Sequence, residues 1–162
     1  MKKIAYLIFY LIFLTYVNGC SGYKPIFKTS NLKFKIAEYS IEGNKELGKK
    51  IYSKLYILSK SNKNDQNVRS VNILIDVKKI RNSTVKNTSG KILEYKISLK
   101  TNVIIKDFFT DNEILNYASA SSSSYKVQDQ YSETLKLENQ SLSNLIDKTY
   151  RNLIIKMTEK KL

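Results

Sequence analysis

Of the side chains that most often do chemistry in proteins, this sequence keeps almost none: its 162 residues hold no histidine and a single cysteine, Cys20. Without imidazole the usual general base at neutral pH is missing, and one thiol supplies neither an intramolecular disulfide nor the softer metal sites. No pair of the 14 acidic residues falls on one face at a spacing useful for acid–base work. Carboxylate-only and Ser–Lys chemistry stay formally open, but catalysis is not expected, nor is a metal or a dissociable cofactor. What remains is Cys20, with three fates open to it: an intermolecular disulfide, a free thiol, or a covalent modification.

The position of Cys20 bears on that choice. Met1-Lys2-Lys3 is a positive start, and Ile4 to Val17 is an apolar run of about 14 residues broken only by Thr15. A membrane span needs roughly 20, so the run reads as the core of an export signal. The stretch Val17-Asn18-Gly19-Cys20 resembles the lipobox of bacterial lipoprotein precursors. The resemblance implies cleavage before Cys20, a covalent lipid on its sulfur and an anchored chain. It divides the sequence into a signal peptide (1–19), a lipidated tether (20–31) and a single domain (32–162). The competing reading is a signal cut elsewhere with a stray thiol.

The chain carries 28 basic residues against its 14 acidic ones, a net charge of +14 that falls to +12 without Lys2 and Lys3. An acidic partner would suit that balance: nucleic acid, anionic lipid or a phosphorylated glycolipid. Export argues against nucleic acid. Only Arg69, Arg81 and Arg151 are arginines, and asparagine and isoleucine are abundant. An AT-rich genome produces the same composition without selection for binding.

The elements that would position these charges follow from periodicity. Leu32, Phe34 and Ile36 alternate with Lys33 and Lys35 as a half-buried strand, ended by Glu42-Gly43-Asn44. Asn44 is a suitable N-cap for a helix with a stripe at Leu47, Ile51, Leu55 and Leu58. Residues 61–67 read as a loop. Val71, Ile73, Ile75 and Val77 mark a second strand, residues 82–90 a hairpin connection, and Leu93, Tyr95, Ile97, Leu99, Val103 and Ile105 the inward face of a third. After a turn at Thr110-Asp111-Asn112, a fourth strand runs from Ile114 through the serine tract to Ser124. A closing helix carries Leu142, Leu145, Ile146, Leu153, Ile154 and Met157. The expected fold is α+β, in the order βαβββα, with two amphipathic helices packed on one face of a four-stranded mixed β-sheet. The other face would then present Lys78, Lys96 and Lys100. The core should include Leu55, Ile73, Ile75, Ile97, Leu99 and Leu153.

Two segments at opposite ends of this pattern resemble one family. In CSGYKPIF, the cysteine is followed by Gly22, Tyr23, Pro25, Ile26 and Phe27, similar to the opening of the outer-membrane LPS-assembly lipoproteins (LptE). Ser123, Ser124, Tyr125 and Tyr131 fill the places of that family's Ser-Ser-Tyr segment and following aromatic, ahead of an amphipathic helix. The resemblance implies a non-enzymatic lipoprotein of the outer membrane. It would be held by lipid on Cys20, seated in the lumen of the LPS-translocating β-barrel (LptD), whose assembly it assists, and would bind lipopolysaccharide. Lys78, Lys96 and Lys100 are the candidate phosphate contacts. A generic anchored envelope lipoprotein, structural or carrying a lipid in a groove, is the alternative.

Acylation of Cys20 is directly measurable. Intact-mass analysis of the mature protein should find an N-terminal Cys20 bearing two or three acyl chains, since one chain alone holds a protein only marginally. Cys20→Ala should leave the precursor uncleaved.

Overall fold

Alternation sets the two central strands. In a computed structural model, which describes residues 32–60 and 68–162, every second residue is buried from Val71 to Val77 and from Ile97 to Asp107. The elements are β1 (Phe34–Gly43), α1 (Lys45–Lys60), β2 (Arg69–Lys86), β3 (Ile92–Asp107), β4 (Glu113–Lys126) and α2 (Tyr131–Glu159). β2 and β3 pair antiparallel from Val71 opposite Asp107 to Lys86 opposite Ile92. β4 joins the outer side of β3 antiparallel, and β1 lies parallel to β2, so the sheet is mixed and ordered β1-β2-β3-β4. A parallel neighbour requires a crossover, which α1 supplies. Both helices cover one face, α1 over β1 and β2, α2 over β4 and β3. The expected α+β architecture and its element order are therefore what the chain adopts.

The turn from β1 into α1 depends on Gly43, whose φ of 67° is left-handed, and a Cβ there would strike the Val77 carbonyl oxygen. The Asn44 N–H donates to that same oxygen at 2.7 Å, and the Asn44 side chain accepts from the Leu47 N–H at 3.0 Å, capping α1 as expected. Beyond Val77, β1 is absent from the pairing, and β2, β3 and the second half of β4 continue as a three-stranded extension.

On the helix face the rows across the sheet grade from apolar to polar: Ile73–Ile105–Leu115, then Ile75–Val103–Tyr117, Val77–Thr101–Ser119 and Lys79–Leu99–Ser121. The serine tract is strand, with Ser119, Ser121 and Ser123 half-buried beneath α2 and Ser122 and Ser124 outside. Small side chains at those inward positions let the helix lie close to β4.

Four details depart from the pattern. A register shift between Ile36 and Glu38 breaks the alternation of β1, so Phe34 is buried inward, but beyond the bulge it is Tyr39 and Ile41 that turn to α1. Tyr39 there stacks on Tyr52 at 3.9 Å. In α1 the stripe continues at a spacing of four to Ser59, and Leu58 is only partly buried. Residues 82–86, polar enough to read as a connection, remain strand, because pairing with β3 satisfies their backbone whatever their side chains face; the reversal is confined to Asn87–Lys91. Leu93 is exposed and Tyr95 only half-buried, since α2 does not reach over the tip of the extension. Cys20, the signal and tether segments and the 61–67 loop lie outside the described residues.

The six core residues expected above are all at most 2% exposed. Thermal or denaturant unfolding of Ile97→Ala and Leu99→Ala should show losses of about 2 to 5 kcal/mol each, the range for emptying a well-packed aliphatic site.

Candidate functional site

Strand parity sorts the lysines of the central strands. Lys78 and Lys100 stand directly opposite each other on β2 and β3, on the sheet face away from the helices. Lys96 lies on the same face opposite Asn82 and Ser124, four residues along β3 and so roughly 13 Å from Lys100. The structure thus brings Lys78 and Lys100 together and sets Lys96 apart, beyond the Ile80–Ser98–Ser122 row. Lys78 has a loose ion pair with Asp76 at 3.9 Å, and it remains 68% exposed. Among the described residues neither Lys96 nor Lys100 has a carboxylate within ion-pair distance. Asp76, Lys78, Lys100, Asn102, Ala118 and Ala120 border a shallow, open depression of about 320 Å³. The sheet there offers two ammonium groups beside an open floor that includes Ala118 and Ala120, an arrangement that would hold phosphate oxygens by charge rather than by a shaped pocket.

The opposite parity carries a cluster that sequence reasoning missed. Lys79 and Arg81 point to the helix face, where α2 meets them with Glu138: Lys79 Nζ lies 2.6 Å from Oε1 and Arg81 Nη1 3.0 Å from Oε2. The Tyr125 hydroxyl donates to Glu138 Oε2 at 2.8 Å, and its ring stacks on Tyr95, over which the Arg81 guanidinium also lies. Burial alone would raise the Glu138 carboxyl. The hydrogen bonds from Lys79, Tyr125 and Arg81 outweigh it and hold the pKa down to about 2. Burial and the Glu138 charge push the Tyr125 phenol up to about 12. The signal was present in the sequence: Thr134, Glu138 and Ser141 extend the Leu142–Leu145 stripe two turns toward the helix start.

At the other end of β2 and β3 a second carboxylate fixes the β3–β4 turn. Asp107 Oδ2 accepts from Arg69 Nε at 2.8 Å, while Oδ1 accepts from the N–H groups of Phe109 and Thr110, both at 3.1 Å. These bonds, led by that from Arg69, hold its pKa at about 2. Asp111 takes the left-handed conformation, φ 54°, in the predicted turn. Among the described residues no group of carboxylates is placed to hold a metal ion, and no helix is long and apolar enough to cross a membrane.

At low identity, a solved structure shares the fold. A presumed lipoprotein from Caulobacter crescentus CB15 superposes with a TM-score of 0.55 at 12% identity, covering 80% of this chain and 90% of that one. Rare lipoprotein B from Shewanella oneidensis aligns at a TM-score of 0.43 and 10% identity, over 75% of this chain and 91% of the other. A minor lipoprotein from Acinetobacter baumannii aligns at 0.46 and 15%, over 76% and 93%. No protein-family model matches the sequence, and no curated protein matches it.

The Glu138 cluster has a defined pH signature. Its folded pKa lies below the ordinary carboxylate value, so its stabilisation is complete above about 4.5 and is lost as pH falls toward 2. Glu138→Gln should cost on the order of 2 kcal/mol at neutral pH by leaving Lys79 and Arg81 without their acceptor charge. Acid titrations of stability should show a shallower fall for that variant, the remainder coming from Asp107.

Proposed function

We propose that this chain is a lipid-anchored envelope protein of the LptE type: held to the outer membrane by lipid on Cys20, partnered with an LptD-type β-barrel, and binding lipopolysaccharide. Its role is to bind and to plug, and no catalytic step is assigned to it. The observation that carries the proposal is the open sheet face, where Lys78 and Lys100 stand opposite each other, Lys96 shares their side, and the core lies wholly on the other. Three further features support it. The N-terminal segment resembles the family's opening, Ser123, Ser124, Tyr125 and Tyr131 occupy the places of its second motif, and the observed element order agrees with its fold.

The physical fit is direct. A protein seated in a polar barrel lumen needs a rigid, filled core and a surface able to match the wall. Lipid A and core phosphates would meet the lysines of the uncovered face. A lipid carrier would instead need an enclosed apolar cavity, and among the described residues the depressions lined by Asn72 and Ile104 and by Lys78 and Lys100 are open.

The test is paired: lipopolysaccharide binding and barrel co-purification are measured for the wild type and for the Lys78→Glu/Lys96→Glu/Lys100→Glu variant. Lipopolysaccharide binding should fall steeply in the variant and weaken with salt in the wild type, whereas barrel association, built on shape and packing, should change less. Unchanged lipopolysaccharide binding would reject the site. A wild-type protein that co-purifies with no barrel would reject the family reading.

A further inference from the structure

The most exposed large apolar side chain among the described residues is Phe109, at 81%, and its neighbour Phe108 is 40% exposed. They sit edge to face, with centroids 5.2 Å apart, at the apex of the β3–β4 turn. This turn is not loosely held: Asp107 accepts from the Phe109 and Thr110 N–H groups and from Arg69, its own N–H donates to Asn112 at 2.9 Å, and the Phe108 N–H donates to Ser70 at 3.1 Å. Two phenylalanines fixed outward on a braced turn are a surface made for contact, because a rigid apolar group gives up little conformational freedom when it is covered.

The same end of the sheet gathers the chain's extremities. The Arg69 N–H donates to the Lys33 carbonyl at 3.1 Å, and the Lys33 N–H donates to the Leu162 carbonyl at 3.1 Å. The described chain therefore starts beside the Phe108–Phe109 turn, and Cys20 is twelve residues earlier. Even fully extended, that length spans at most about 40 Å. Cations surround the turn: Lys33, Lys35 opposite Ser70, and Lys160 and Lys161 next to Leu162. Of the acidic residues at the turn, Asp107 is paired with Arg69 and Asp111 with Lys106 at 3.1 Å, while Glu113, at the start of β4, is exposed.

We propose that this end is a second membrane contact: Phe108 and Phe109 enter the headgroup region of the bilayer that holds the Cys20 lipid, and the surrounding lysines lie over anionic headgroups. The inference rests on the lipid-anchored reading above and adds an orientation to it. Burying one phenylalanine favours the bound state by on the order of tenfold, and each lysine near an anionic surface adds roughly fivefold. The anchored domain would stand with β2 and β3 rising from the membrane and the β2–β3 tip away from it.

The sequence has no tryptophan, so a single one reports its own surroundings. Phe109→Trp is made in the full lipid-anchored chain, reconstituted in vesicles of phosphatidylethanolamine with a minor share of phosphatidylglycerol. Val85→Trp, at the exposed far tip, is the control. Emission from the Phe109→Trp chain should shift to the blue and be quenched by lipids brominated near the headgroup, while the Val85→Trp emission should not change. A lipidated, vesicle-bound Phe109→Trp chain whose indole stays in water overturns the inference and leaves the anchor reading intact. A mature chain without lipid on Cys20 overturns both. Emission that shifts only when a barrel is reconstituted alongside overturns the lipid contact in favour of the barrel wall.

Discussion

The register of β2 against β3 is the constraint on which the molecule depends. Side chains alternate along each strand, so a slip of one residue would move Ile97, Leu99, Val103 and Ile105 from the core to solvent together. The other elements are attached to this ladder at identifiable points. β1 and α1 meet it at Val77, whose carbonyl accepts from Asn44 and leaves room only for glycine at position 43. α2 meets it through Glu138 at Lys79 and Arg81. At the far end Asp107 ties Arg69 to the β3–β4 turn. Two carboxylates held near a pKa of 2 thus bracket the ladder.

The same alternation decides what the positive charge does. Lys79 and Arg81 share an inward parity and divide the single charge of Glu138 between them beneath α2, whereas Lys78, Lys96 and Lys100 have the outward parity. A composition that reads as uniformly basic is divided by the pleat into a structural set and an available set. Catalytic groups are not needed for such a surface to act, and the sequence supplies few.

Legibility in the sequence followed the hydrophobic signal. Val71 to Val77 and Ile97 to Leu99 could be placed because long strands repeat their pattern over many residues, and Asn44 because its side chain caps the helix that follows. The bulge after Ile36 was not visible, since one inserted residue reverses the faces without changing composition. Residues 82–86 looked like a loop because the tip of the extension is wet on both sides, and backbone pairing leaves no mark on such a sequence. Glu138 was missed for the opposite reason: a buried carboxylate interrupts an apolar stripe, and its cationic partners lie 59 and 57 residues away. The face bearing Lys78, Lys96 and Lys100 was legible from parity alone, while the side-by-side placement of Lys78 and Lys100 required the strand register.

The parallel pairing of β1 with β2 also has a mechanical meaning. β1 is an edge strand whose first residues lead back toward the N-terminal segment, and Lys33 is bonded both to the start of β2 and to the chain's last residue. A pull entering at Lys33 along the strand axis would act on the β1–β2 hydrogen bonds in shear, all resisting at once, instead of opening them one after another. Such geometry gives the fold its greatest resistance to a load that enters through β1 along the strand.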